Sequence, residues 1–433
     1  MGKGALNHPN LFLQEYSWEE IRRHNTKKEQ WIVIDGYVYD ITAWSRKHPG
    51  GGSIIRNYAG EDASEAWCAF HTNKDFASKF LRTLVIGQVK GGTSDTLPII
   101  EDFRKLRKTV EDMGLFKPSK TFFTFIMLHI FAAEFIGWFI MWYFGTGWVP
   151  FVIGACFLTI AQNQTGWSQH DYGHLSVLPT NRLNHWMHIF LINFMKGASS
   201  DWWNYRHNNH HAKPNVIHKD PDIRLDYLLL VGKVLPVEWG KKKKGVMPYN
   251  HQHWYFYMTL PPLLLPLYFN FEIPYYLIRR KRWTEIFWTS TFFLRYQLMF
   301  NSMLGFAGVF GLFMFVRFLE SHWFVWATQM SHLPCEVDHE KLDNWVSMQL
   351  RATCNIEGSL FNDWFSGHLN YQIEHHLFPT MPRNNLCKAV PLVRSLCKKH
   401  NIPYICKPLW QGFTDIIGSL KASGEMWHDA YYK

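Results

Sequence analysis

Apolar residues fall into two regimes along the chain. Up to residue 90 they come in short groups: Trp31–Ile34 and Val38-Tyr39 flank Asp35-Gly36, the pattern of a hairpin, and Ser17 followed by Glu20 reads as a capping box opening a helix. From residue 122 the runs are long. Phe122–Phe144 carries only His129 and Glu134 as ionisable side chains, and a membrane-crossing helix needs about 20 residues. Trp148–Ala161 follows the turn at Gly145–Gly147 and extends towards Trp167, so the two runs predict a helical hairpin. Residues 168–253 are polar except for Ile189–Met195, which is too short to span and predicts an interfacial or buried stretch. Trp254–Ile278 is apolar but broken by Pro261, Pro262 and Pro266; Ile286–Phe300 and Met303–Leu319 carry Arg295 and Arg317. His332–Lys433 holds no span and predicts mixed helix and loop.

Composition narrows this picture. Of the 433 residues 47% are hydrophobic and 17% aromatic, which excludes intrinsic disorder. A mean hydropathy of −0.19 excludes a chain made mostly of membrane helix. Seven cysteines without a Cys-x-x-Cys pair exclude a disulfide scaffold or a cysteine-built zinc ribbon, and read as free thiols. The net charge of +10 comes from basic residues that are scattered or sit beside apolar runs, which favours an anionic membrane surface or substrate over nucleic acid. No basic start followed by an apolar stretch occurs near Met1, so the N-terminus is expected to stay cytosolic. The outlier is histidine, with 23 copies. Histidine is the commonest transition-metal ligand.

Two of these histidines lie in the first segment. His48-Pro49-Gly50-Gly51 is followed by Phe70-His71, and two imidazoles on opposite walls of a pocket can fill both axial positions of a haem iron. The plainer alternative is a loop-capping His48 and a surface His71. Val38-Tyr39-Asp40-Ile41-Thr42, Trp44 and Tyr58-Ala59-Gly60-Glu61-Asp62-Ala63 surround them, and with these the segment resembles a cytochrome b5 domain. That resemblance implies an α+β domain over 14–90 with His48 and His71 as ligands of haem b. Such domains are usually strongly acidic, whereas residues 1–90 carry 12 Lys/Arg against 10 Asp/Glu.

The second constellation is His170-Asp171-Tyr172-Gly173-His174, then His207-Asn208-Asn209-His210-His211, then Gln372-Ile373-Glu374-His375-His376. Spacings of three and four place side chains on one helical face. Seven imidazoles and a Gln exceed the needs of a four-coordinate zinc and suit two six-coordinate irons. These boxes, their order and the fused haem domain resemble the front-end membrane fatty acyl desaturases, closest to vertebrate acyl-CoA 6-desaturases, with Gln372 as the mark of the subgroup. The resemblance implies iron ligation by His170, His174, His207, His210, His211, Gln372, His375 and His376, and by His332 in Thr328-Gln329-Met330-Ser331-His332. Second-level roles are expected for Asp171 and Asp363, as carboxylates that fix ligand tautomers, and for His185, His188, His218, His251, His253, His322 and His368 as hydrogen-bonding neighbours.

The organisation expected is therefore a cytochrome b5-like α+β domain over 14–90, then a linker (beginning Gly91-Gly92-Thr93-Ser94-Asp95) and amphipathic lead-in over 91–121. An all-α multi-pass membrane desaturase domain with a cytosolic helical cap follows over 122–433. For all boxes to meet on the cytosolic side, spans are expected near 122–144, 148–167, 254–274 and 295–319, with both termini cytosolic. That puts Lys241–Lys244 in the cytosol and Arg279–Arg282 in the lumen, the latter against the positive-inside bias, unless the proline-rich run is re-entrant or interfacial. The activity implied is front-end desaturation of a polyunsaturated long-chain fatty acyl-CoA at the endoplasmic reticulum membrane, of delta-6 type. It would use O2 and electrons passed from NADH through a cytochrome b5 reductase. Lys241–Lys244 are candidates for the CoA head, or equally a membrane-surface patch, and residues 291–304, including Tyr296, Gln297 and Asn301, for an acyl tunnel. A haem-fused fatty acyl hydroxylase and a non-catalytic haem protein with structural zinc are the alternatives.

Overall fold

The computed structural model describes residues 13–91, 97–341 and 344–433; most of the expected linker, Gly92–Asp95, lies outside the described residues. Strand β1 (Gln14–Tyr16) leads into α1 (Trp18–Arg23), where the Ser17 hydroxyl accepts from the Glu20 amide at 3.2 Å. Strands β2 (Trp31–Ile34) and β3 (Tyr37–Asp40) pair antiparallel about the Asp35-Gly36 turn. Helices α2 (Gly52–Arg56), α3 (Ser64–Phe70) and α4 (Lys74–Leu81) precede β4 (Val85–Val89), and the sheet order is β1-β4-β3-β2. Val33 and Val38 close one side of this sheet with Tyr16, Ile21 and Val89.

Helix α5 (Pro98–Asp112) buries Ile99, Phe103, Leu106 and Val110, a stripe at helical spacing, and packs on α17 further along the chain. Helices α6 (Lys120–Phe144) and α7 (Trp148–Gly173) run side by side and reverse at Gly145, whose φ of 84° and ψ of −178° lie in a region open essentially to glycine alone. The Ile189–Met195 patch becomes the end of α8 (Asn181–Ile189) and a π-helical turn over Phe190–Met195, with Leu191, Ile192 and Met195 buried. After α9 (Ser200–Ala212) and α10 (Val234–Lys241), α11 (Gln252–Leu267) and α12 (Ile273–Arg279) form a bent rod joined by a π turn at Tyr268–Glu272.

Helix α13 (Trp283–Gln329) is two arms. Gly305 breaks it with φ 68° and ψ 167°, and the Phe292 and Phe293 rings then lie 6.0 and 5.3 Å from Phe313. At 1.5 Å rise per residue a straight helix would hold them about 30 Å apart, so residues 283–304 and 306–329 are antiparallel. A cap of α14 (Trp345–Arg351), β5 (Asn355–Ile356), α15 (Leu360–Ser366), α16 (Gln372–Leu377), α17 (Leu386–Lys399), β6 (Cys406–Lys407) and α18 (Leu409–Tyr432) completes the chain.

Among the described residues two helices are long and apolar enough to cross a membrane, Lys120–Phe144 and Trp283–Gln329. A second pair of antiparallel arms thus runs over 283–304 and 306–329, and the expected span at 254–274 lies within the rod beside it. The 252–279 rod runs antiparallel to the second arm, with Phe256 against Trp326 and Asn270 reaching Met314. It then turns back to α9, where Tyr276 bonds Asp201 and Arg282 pairs with Asp201 at 2.9 Å. One end thus lies beside the part of α13 that His332 follows, and the other beside α9, which carries the second box. Arg279–Arg282 accordingly belongs to that end of the molecule, against the expectation of a luminal cluster. The arginines of the apolar runs are paired: Arg295 with Glu134 at 2.7 Å, and Arg317 with Glu320 and, at 2.5 Å, with Gln162.

Candidate metal centre and paired-histidine pocket

Each box sits at the end of a helix facing the same point. His170 lies in the last turn of α7 and His174 is its C-cap; His207, His210 and His211 lie on α9, started by the Ser199 hydroxyl accepting from the Trp202 amide at 3.1 Å. Gln372, His375 and His376 lie on α16, and His332 follows the second arm of α13 by three residues. The side chains form two adjacent groups. In the first, one ring nitrogen each from His170, His174, His207, His211 and His375 lie within 4.8 Å of one another; in the second the same holds for His210, His332 and His376. Gln372 Nε2 is 2.7 Å from His332 Nε2 and joins the second group, and the stacked rings of His211 and His376, 4.2 Å apart, connect the two.

Hydrogen bonding alone does not satisfy this arrangement. His207 Nε2 is 2.9 Å from His174 Nε2 and 3.0 Å from His211 Nε2, which in turn is 3.0 Å from His375 Nε2. One ring nitrogen offers one proton or one lone pair, so His207 cannot serve two partners. His170 and His376 keep a buried Nε2, and Gln372 a buried Oε1, without a hydrogen-bond partner. Converging imidazole nitrogens of this kind suit transition-metal ions.

The outer nitrogens are held from behind, which aims Nε2 inward. His210 Nδ1 lies 2.8 Å from Asp220, His376 Nδ1 2.8 Å from Gln349 Oε1, and His332 Nδ1 3.1 Å from the Ala352 carbonyl. Burial pushes His332 down to about 3. Burial also opposes a charge on His210, but the Asp220 carboxylate outweighs it and raises this ring. Sequence reasoning missed Asp220 and Gln349, which stand at no helical spacing from the residues they hold. The carboxylates it chose instead do other work: Asp171 accepts from the Arg383 amide at 3.1 Å and pairs with its side chain, and Asp363 accepts from Asn370 at 2.9 Å. None of the seven neighbouring histidines shows a hydrogen bond to a box histidine. His188 comes nearest, bonding Gln169 at 2.7 Å and packing on Trp203, whose ring stacks on His207 at 4.2 Å.

In the N-terminal domain His48 precedes α2 and His71 caps α3, their ring centres 6.1 Å apart. A metal held between two imidazoles at roughly 2 Å from each nitrogen sets ring centres about 6 Å apart. The Nδ1 atoms face backbone carbonyls, Gly51 at 3.4 Å and Trp67 at 3.1 Å, so the Nε2 atoms are left for the pocket. Burial lowers His48 and brings His71 down to about 4, and neutral rings are the ligating form.

A cavity of about 160 Å³ touches the histidine centre at His170, His207, His210, His332 and Gln372. Its other walls are largely apolar and aromatic, including Ile192, Leu260, Leu264, Phe269 and Phe324, with Lys196. Nothing from 291–304 lines it: Tyr296 is packed between Phe292 and Phe300, and Asn301 is exposed. The cavity thus lies away from the expected tunnel position, where the inward face of that arm is filled by packed aromatic rings.

Residues 146–408 match the fatty acid desaturase family, and the chain belongs to that family. Residues 17–90 match the cytochrome b5-like heme/steroid binding domain. Cytochrome b5 of Ostreococcus tauri virus 2 is similar at 36% identity, covering 17% of this chain and 94% of that one, with a TM-score of 0.16. The chain is thus an oxidoreductase for fatty acid desaturation with an electron relay through its cytochrome b5-like domain. The histidine groups are compatible with a pair of irons, and the N-terminal domain with haem.

Proposed function

We propose that this protein is a front-end acyl-CoA desaturase of delta-6 type in the endoplasmic reticulum membrane. It places a cis double bond between an existing one and the carboxyl end of a polyunsaturated acyl chain. The observation that carries the reading is the convergence of three boxes and His332 beside an apolar cavity. The first group, His170, His174, His207, His211 and His375, would hold one iron; His210, His332, His376 and Gln372 would hold the other; His48 and His71 would hold the haem. The irons, when bound, supply O2 activation. The balance is one acyl –CH2–CH2–, O2, two electrons and two protons, giving –CH=CH– and two waters.

The protein's own part is positioning. A methylene chain has no polar handle, so the carbons attacked are those that the cavity walls hold beside the histidines. Trp203, stacked on His207, and Phe269 and Phe324 across the cavity keep that space dry. Asp220, Gln349 and the Ala352 carbonyl hold three rings in the ligating tautomer. The front-end reading is supported by Gln372, and the delta-6 type and the acyl-CoA form by the resemblance of the whole chain.

The test is expression in yeast lacking polyunsaturates, fed eighteen- and twenty-carbon acids, with the new double bonds mapped. A double bond on the carboxyl side of an existing one is expected; a product retaining oxygen would make the protein a hydroxylase. Metal analysis should find two non-haem irons per chain, falling to one in His332→Ala. Zinc alone would refute the enzyme reading.

A further inference from the structure

We propose that the N-terminal domain works where it is docked and passes electrons across a single aromatic contact, Phe70 against His211. This rests on the reading above, since it takes the haem and both irons to be bound. Phe70 directly precedes His71 at the end of α3. His71, the extended C-cap, faces His48 across its own pocket, while Phe70, the last helical residue, faces outward. Its ring lies edge-on to His211, 6.5 Å between centres at 87°. His211 belongs to the five-histidine group and stacks on His376 of the other. One side chain, Phe70, therefore stands between the residue expected to hold the haem, His71, and His211, where the two histidine groups join.

The docking is specific, and it is made to the very helix that carries box two. Asn209, between His207 and His210, donates to Ser53 Oγ at 3.0 Å and accepts from Asn57 Nδ2 at 3.1 Å. The buried Tyr58 hydroxyl donates to the Ala212 carbonyl at 2.6 Å. Lys213 and Lys219 each pair with Glu61 of the first domain and Glu340 of the second. Tyr58 and Ala69 share one apolar cluster with Ala212, Trp345 and Ile373. Undocking would leave those apolar and ionic groups without their partners, and such costs are large beside a domain's net stability.

The two walls of the histidine pocket then have different tasks. Both walls border the desaturase part, through Phe70 beside His71 and through Ser53 and Asn57 beyond His48, but Arg46, Lys47, Pro49 and Gly50 next to His48 are exposed. A reductase fed by a pyridine nucleotide can reach the haem from the His48 side without displacing the domain. Each passage moves one electron, oxidising haem from ferrous to ferric and reducing the acceptor centre by one; two passages serve one double bond.

The experiment uses the full-length loaded protein. In Ser53→Cys/Asn209→Cys, oxidation should form a cross-link, identified by peptide mapping, and the cross-linked protein should still desaturate an eighteen-carbon dienoyl-CoA with NADH and cytochrome b5 reductase. No cross-link, or turnover lost on oxidation and regained on reduction, would overturn the docked relay. Wild-type turnover in the same assay shows whether the desaturase reading itself stands. Separately, Phe70→Leu should keep the haem spectrum, the iron content and reduction by the reductase. Reoxidation of its reduced haem under air and substrate should slow several-fold, and Phe70→Tyr should restore it. An unchanged reoxidation rate in Phe70→Leu removes Phe70 from the route.

Discussion

Burial sets the protonation state of histidines in and around the centre. His188, His332 and His368 are each held down to about 3 by burial, against 6.5 for a free ring. Because the folded values lie below the unfolded one, the stability these rings contribute is present above about pH 6.5 and is lost as the pH falls towards about 3. His210 acts in the opposite sense: Asp220 raises it, so its contribution is present below 6.5 and fades as the pH rises. The lowered rings, which also include His48 and His71, outnumber the raised one, and acid should win. The thermal midpoint of the metal-free protein in detergent is expected to drop steadily below about pH 6.5 and to change little between about pH 7 and 8. A midpoint that rises on acidification contradicts this balance. At this scale the boxes were legible because their histidines are three or four residues apart. Asp220 and Gln349 were not, because a partner for an outer ring nitrogen needs only to arrive in space, from any point in the chain.

Helix ends do most of the positioning. Both apolar hairpins reverse at a glycine in a conformation that other residues avoid, Gly145 and Gly305. A Cβ at Gly305 would meet no atom within 4 Å, so the cost of Gly305→Ala is purely conformational, about 1–3 kcal/mol. Gly311 also has open space around it, but it lies within regular helix, where Ala is favoured by up to about 1 kcal/mol. Thermal unfolding in detergent should therefore move down for Gly305→Ala and stay level or move up for Gly311→Ala. Equal effects would mean that the fold does not depend on the reversal at Gly305. Hydropathy found these apolar stretches, but it could not tell the paired arms of the bundle from the rod at 252–279. Both are apolar, and only the return of Tyr276 and Arg282 to Asp201 separates them.

For the whole molecule, the arrangement predicts sidedness. The boxes, Lys241–Lys244 and Arg279–Arg282 lie towards one end of the helical bundle, and the turns at Gly145 and Gly305 at the other, where Trp138 donates to the Met299 carbonyl. In sealed microsomes, single cysteines placed at Lys242 and Lys281 should be labelled by a membrane-impermeant reagent from outside, and one at Gly147 only after permeabilisation. Labelling of the Lys281 position only after permeabilisation would restore 254–274 as a crossing helix.

What the amino-acid order determined by itself was whatever is local: a cytochrome b5-like segment around His48 and His71, three histidine clusters at helical spacing, and a first pair of apolar runs that reverses at Gly145–Gly147. Those features survive because they are set by backbone geometry over a few residues. The tertiary structure decided how the clusters divide into two groups, and that His332 and Gln372 meet. It also decided which side chains wall the cavity, and that Phe70 of one domain touches His211 of the other. Each of these joins residues from separate helices, and packing brings them together without leaving a period or a spacing for the sequence to display.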